Sequence, residues 1–392
     1  MTYIRYFATN RDRDNLARDV SLKDRKNMQS GGYNWIDARR YMAYYLAETN
    51  AQQMPKESLI INSEETVFQA FLSKPSIRRI IIGIHGFNVP LHGALTSFSI
   101  LADTIRDLDA FKPPENRLNL IVDPLLPEEQ YRLNTEDNLT AVVGFSWPAN
   151  GSVLAYNSDR TEAVSSGPAL ANMISIIHKF NPAAEIFVIA HSMGNFLACN
   201  MLKQLVDREY VPYDYDKYDQ GQLSLRGQNS GSDKFFIDGY FMLAPDVERR
   251  HVTKCYRSGE PTYQREQYSA QKENEMEDVY YLGPFFEGLL HLVGGVYLFY
   301  SRHDEALKAS KVEKELRERA DDLKELIVGR NINNLYEDSL GLNPAPPPAP
   351  PNMYSFNAST LSNMQIDHGN YFDTQGIAEK IAREIISYKS DG

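Results

Sequence analysis

Ser192 stands in the stretch Ala190-His191-Ser192-Met193-Gly194-Asn195. Before it, residues 184–190 are rich in β-branched and aromatic side chains, the composition of a buried strand. After it, Phe196, Leu197, Met201, Leu202 and Leu205 recur at helical spacing. A serine on a tight turn between strand and helix, with small residues two before and two after, has the layout of a nucleophile elbow. The turn projects Oγ beyond the sheet, and residues two positions away approach so closely that little side chain fits. The pattern here is A-x-S-x-G, with Ala190 in place of a first glycine. A serine hydroxyl is a poor nucleophile by itself, so this chemistry requires a base and an acid to orient that base.

Two positions downstream fit those roles. His368 follows the last expected strand, 354–358, and Asp304 follows the strand expected at 296–301. Both fall at C-terminal strand ends, the rim at which a parallel sheet presents its functional groups. Asp246, at the end of the strand expected at 235–243, is an alternative acid. Among the other histidines, His303 adjoins Asp304, His291 lies in an apolar run, His191 is inside the turn, and His85 precedes Gly86. The apolar strand expected at 79–86 ends in His85-Gly86-Phe87-Asn88. A loop so placed would offer the Phe87 N–H to an oxyanion, with the Met193 N–H as the second donor.

These residues need a scaffold, and the periodicity supplies one. Strands are expected at 3–8 and 141–147, and helices at 94–108, 163–180, 305–328 and around Ile377, Ile381 and Ile385. Ser63 reads as the N-cap of a helix through Phe71, whereas 41–47 fits a strand or a short helix equally. Strands alternating with helices indicate an α/β fold, a mostly parallel, doubly wound sheet with helices on both faces. Residues 1–76 form a leading segment and 77–392 the core. Within the core, 247–294 is an insertion before the penultimate strand, and 343–351 is a polyproline connector. The apolar run 284–293 reads either as a lid over an acyl pocket or as a helix completing the core.

Composition narrows the function classes. With 392 residues, 42% hydrophobic and 24% charged, the chain is globular, and its net charge of −11 disfavours nucleic acid and anionic membrane surfaces. Two cysteines, Cys199 and Cys255, make no disulfide framework. No signal peptide or transmembrane run is evident, so a cytoplasmic location is expected. Asp214, Asp216 and Asp219 hint at a calcium loop, but Asp219 and Leu225 occupy the positions that need Gly and Glu. No zinc-ligand spacing occurs, and neither metal nor cofactor is expected.

The ordered series Phe7-Ala8-Thr9-Asn10-Arg11, Ile84-His85-Gly86-Phe87-Asn88, Phe145-Ser146-Trp147-Pro148, Ala190-His191-Ser192-Met193-Gly194-Asn195, Ala244-Pro245-Asp246 and Ser301-Arg302-His303-Asp304 resembles a bacterial α/β-hydrolase family of unknown function. The resemblance implies the α/β-hydrolase fold and a serine-hydrolase triad of Ser192, Asp304 and His368. It supplies no substrate, and the chain departs from the family in 247–294 and in the proline-rich connector. The expected activity is cleavage of a small-molecule or lipid carboxylic ester through an acyl-enzyme, with a lipase-like variant suggested by 284–293. The alternative is a non-catalytic hydrolase-fold protein that binds a partner through its insertion or proline-rich segment.

Overall fold

The long apolar runs pair with one another as a single sheet. The computed structural model describes residues 2–11, 31–49, 65–149, 156–207, 236–248, 250–253, 288–289, 292–311, 339–345 and 349–388. Its nine strands are β1 (Tyr6–Thr9), β2 (Asn34–Asp37), β3 (Ile77–Ile84), β4 (Leu120–Ile121), β5 (Leu139–Ser146), β6 (Glu185–His191), β7 (Ile237–Leu243), β8 (Val293–Tyr300) and β9 (Met353–Asn357). Their order is β2-β1-β5-β3-β6-β7-β8-β9, with β4 paired to β5 as well. β2 runs antiparallel to β1, and every other pair is parallel.

Helices cover both faces, which explains why the central strands are apolar almost without interruption. They are α1 (Ala38–Thr49), α2 (Glu65–Leu72), α3 (Leu91–Ala110), α4 (Pro127–Thr135), α5 (Tyr156–Phe180), α6 (Met193–Asp207), α7 (Arg250–Thr253), α8 (Ala358–Ser362) and α9 (Gln375–Ser387). Residues 305–311 are also helical. The alternation of β3 divides the core: Ile80, Ile82 and Ile84 join Phe68, Met173 and Phe196 of α2, α5 and α6. Ile81 points the other way, into a second cluster with Phe98 of α3 and Ile381 of α9.

The strand order reverses at β3. The chain proceeds from β3 to β5 on one side, then crosses to place β6 on the other. The crevice at a topological switch point, beyond the C-terminal strand ends, is where open α/β sheets bind ligands. Here it lies between the end of β3, at His85-Gly86-Phe87, and the end of β6, at Ser192.

Several elements differ from expectation. Residues 41–47 are helical, within α1, and the expected start of α5 at 163 moves back to Tyr156. β2, β4 and α4 carry no apolar periodicity. α4 is held instead by a polar bond: Glu129, fully buried, accepts from the N–H groups of Val122 and Asp123, both at 2.9 Å. In the apolar run 284–293, Leu289 and Leu292 are buried, and a Cβ at Gly288 would lie 2.5 Å from Leu202 Cβ of α6. That end is core. Residues 284–287, 290 and 291 of the run, together with Ser63, Asp214, Asp216, Asp219 and the part of the 305–328 helix beyond 311, lie outside the described residues.

Candidate active site

At the elbow between β6 and α6 the backbone turns through a left-handed residue. Ser192 has φ 53°, left-handed for a residue bearing a Cβ, and is 4% exposed. Such a conformation persists only when the surroundings fix it. Ser192 N–H donates to Leu243 O at 3.0 Å, and Ser192 O accepts from Asn195 N–H and Asp246 N–H at 3.1 and 3.2 Å. Asn195 adds a staple that the sequence did not signal. Its buried Nδ2 lies 3.1 Å from Ala190 O and Ser192 O and 3.2 Å from Leu243 O, and its Oδ1 accepts from Tyr240 OH at 2.9 Å.

The small residues are where contact is closest. A Cβ at Gly194 would collide with the carbonyl oxygens of His85 and Ile84, 2.8 Å from the latter. A Cβ at Gly86 would come 2.7 Å from Ser192 Cβ. The loop after β3 therefore presses directly on the elbow. No hydrogen-bond partner among the described residues takes up the N–H of Phe87 or of Met193, the first residue of α6.

His368 and Asp304 meet as a pair, with Nδ1 to Oδ2 at 2.8 Å. Asp304 is fully buried and its Oδ1 caps the helix 305–311 by accepting from Leu307 N–H at 2.9 Å. The other oxygen is thereby directed at the imidazole. Ser301 joins the two loops: its Oγ donates to Ile366 O at 2.5 Å and accepts from His303 N–H at 3.2 Å. His368 is reached after β9 through α8, whose N-cap Asn357 accepts from Ser359 N–H at 3.0 Å.

His191, beside the serine, ties the elbow to the histidine loop. Its Nε2 lies 2.9 Å from His368 O, and the two rings are 4.6 Å apart. A carbonyl only accepts, so His191 carries its proton on Nε2. Burial holds its pKa well below the usual histidine value, with the nearby His368 adding to the effect, so it is neutral near pH 7.

Asp246, the alternative acid, is occupied elsewhere. Its Oδ2 accepts from Tyr156 OH at 2.6 Å and its Oδ1 from Ser310 and Ser339 hydroxyls, both at 3.1 Å. It braces the elbow and the helix after Asp304. Tyr156 also packs its ring edge-on to Phe87 at 5.5 Å. His303 and Arg302 are exposed, whereas Cys199 is a buried thiol pushed up to about 12, chiefly by burial. The described residues contain no cluster of histidine, cysteine and acidic side chains suited to a metal ion.

Comparison with known proteins identifies the family. The model of a family described as alpha/beta hydrolase of unknown function matches residues 60–359. The chain belongs to that family. This alpha/beta hydrolase is 50% identical over 384 residues to an uncharacterized protein of Nostoc sp. strain PCC 7120, covering 97% of this chain and 93% of the relative. Among solved structures it is similar to an esterase of Pyrobaculum calidifontis at 12% identity and a TM-score of 0.31, over 80% of this chain and 77% of that one.

Proposed function

We propose that this alpha/beta hydrolase cleaves carboxylic esters through an acyl-enzyme on Ser192. The observation that carries the reading is the 2.8 Å bond between His368 Nδ1 and buried Asp304, on a loop that His191 fastens to the elbow. With Nδ1–H donated to the carboxylate, the lone pair of His368 sits on Nε2, the nitrogen that accepts the serine proton in such triads. Ser192 Oγ attacks the ester carbonyl, His368 takes its proton, and Asp304 orients the ring and stabilises the imidazolium. The oxyanion is received by the N–H groups of Phe87 and Met193, and Met193 adds the positive end of the α6 dipole. The alcohol leaves with the proton from His368. Water, activated by the same base, then releases the acid.

The reading is tested with p-nitrophenyl esters of increasing chain length. A burst of p-nitrophenol close to one per enzyme, absent in Ser192→Ala, is expected. Linear release at equal rates in both proteins would contradict it. Preference for long acyl chains would place the enzyme among the lipases, and activity confined to short chains among the carboxylesterases.

A further inference from the structure

Three sequence motifs have no place in the triad, yet they converge on the loop that carries Phe87. Arg11, at the end of β1 and 2% exposed, donates from Nε to Ser146 Oγ at 3.0 Å and from an Nη to Val89 O at 2.9 Å. Ser146, which ends β5, lies 3.1 Å from His85 Nε2. His85 Nδ1 lies 2.9 Å from Gly86 O.

Donor and acceptor roles in this chain are determined. Trp147 N–H donates to His85 Nε2 at 3.1 Å, so Nε2 is an acceptor and the ring proton resides on Nδ1. Nδ1–H therefore donates to Gly86 O. Since Nε2 can only accept, the Ser146 hydroxyl donates to it, and the same oxygen accepts from the guanidinium. All three bonds run one way, from a fixed positive charge to a single carbonyl. Burial, with Arg11 second, lowers the His85 pKa to about 3, so the ring remains neutral and its tautomer persists. The ring is also stacked on Trp147, 5.4 Å between centroids and 4° between planes, and Trp147 Nε1–H donates to His85 O at 2.8 Å.

The carbonyl at the end of the chain belongs to the Gly86–Phe87 peptide. In a trans peptide, N–H and C=O point in opposite directions in one plane, so holding Gly86 O aims the Phe87 N–H the other way. A bond onto the carbonyl also strengthens the N–H as a donor, because hydrogen bonds in a chain polarise one another. We infer that Arg11, Ser146 and His85 form a one-way hydrogen-bond relay that orients and polarises the Phe87 N–H for the oxyanion. Arg11 also holds Val89 O, on the far side of Asn88, whose φ of 55° turns the chain sharply between the two anchors. These are positioning residues, and the inference rests on the proposed role of Phe87.

The test is a double-mutant cycle on ester hydrolysis by the full chain, with Ser146→Ala, Arg11→Met and the pair, each checked by thermal melting. Complete loss of an oxyanion donor costs about 10²- to 10³-fold in kcat. A donor left in place but misaimed should cost less, roughly tenfold, with KM nearly unchanged. Because one relay serves one peptide, the double variant should be no slower than the slower single variant. Unchanged kcat in folded Ser146→Ala, multiplying effects in the double variant, or a loss confined to KM would overturn the relay. Wild-type turnover alongside any of those results would leave the proposed function standing. Absence of turnover in the wild type would overturn both. Selective 15N-histidine NMR adds a readout independent of rate: His85 should show the Nδ1–H form in the wild type, and any other tautomer there contradicts the relay.

Discussion

A carboxylate orients an imidazole through an oxygen that is free to face it, and that requirement bears on two aspartates that the sequence ranked by strand order, Asp304 before Asp246. Asp304 spends one oxygen on Leu307 N–H and gives the other to His368. Asp246 receives three hydroxyls. Asp304→Asn should lower kcat by about 10³- to 10⁴-fold with little change in melting temperature, because it disturbs the tautomer and not the packing. Asp246→Asn should do the reverse, losing roughly 2–4 kcal/mol of stability in urea titration while retaining most of the activity per folded molecule. Equal kinetic losses in both variants would contradict the assignment. Ser192, His368, Asp304 and the alternative Asp246 were proposed from strand ends and residue type. The hydroxyls that occupy Asp246 were not legible, because they come from Tyr156, Ser310 and Ser339, distant in the chain and bound to no local spacing.

At the scale of elements, the site is a consequence of two loops forced together where the strand order reverses. The left-handed Ser192 and the approach of the β3 loop predict opposite effects at neighbouring positions. Ser192→Gly should melt higher than Ser192→Ala, by about 1 kcal/mol at equal loss of activity, because only glycine adopts φ 53° without strain. Gly194→Ala should lose at least about 2 kcal/mol, since its Cβ has nowhere to go but into the Ile84 and His85 carbonyls. Equal stability of the two Ser192 variants would argue against a strained elbow. The strong strands β3, β5, β6 and β7 and the helices α3, α5, α6 and α9 were readable because burial on one or both faces writes a period into the sequence. β2, β4 and α4 were not. β2 is short and partly polar, β4 has two residues, and α4 is secured by buried Glu129, a single side chain that leaves no pattern.

For the whole molecule, buried neutral histidines link the site to global stability. His85 is depressed to about 3 and His191 well below its usual value, both chiefly by burial. In the unfolded chain both titrate near 6.5. The unfolded state therefore binds more protons below pH 6.5, and the stability present above that value is lost as pH falls toward the folded pKa values. Each histidine contributes a slope of about 1.4 kcal/mol per pH unit in that window. Urea unfolding at pH 7, 6 and 5 should show the decline; half the slope would mean that one ring is charged in the folded protein, and a flat profile that both are. The overall architecture was legible because a doubly covered parallel sheet repeats its strand–helix pattern. The internal wiring of the site was not, since Arg11, Ser146 and His85 lie at or just beyond the ends of three separate strands and meet only once the sheet has formed.

Activation of Ser192 as a nucleophile by His368 and Asp304 is tested most directly by fluorophosphonate labelling with the adduct mapped by mass spectrometry. One adduct per chain is expected, on Ser192, with its loss in folded His368→Ala. An unmodified Ser192 in folded wild-type protein, or equal labelling in the His368→Ala variant, would contradict it.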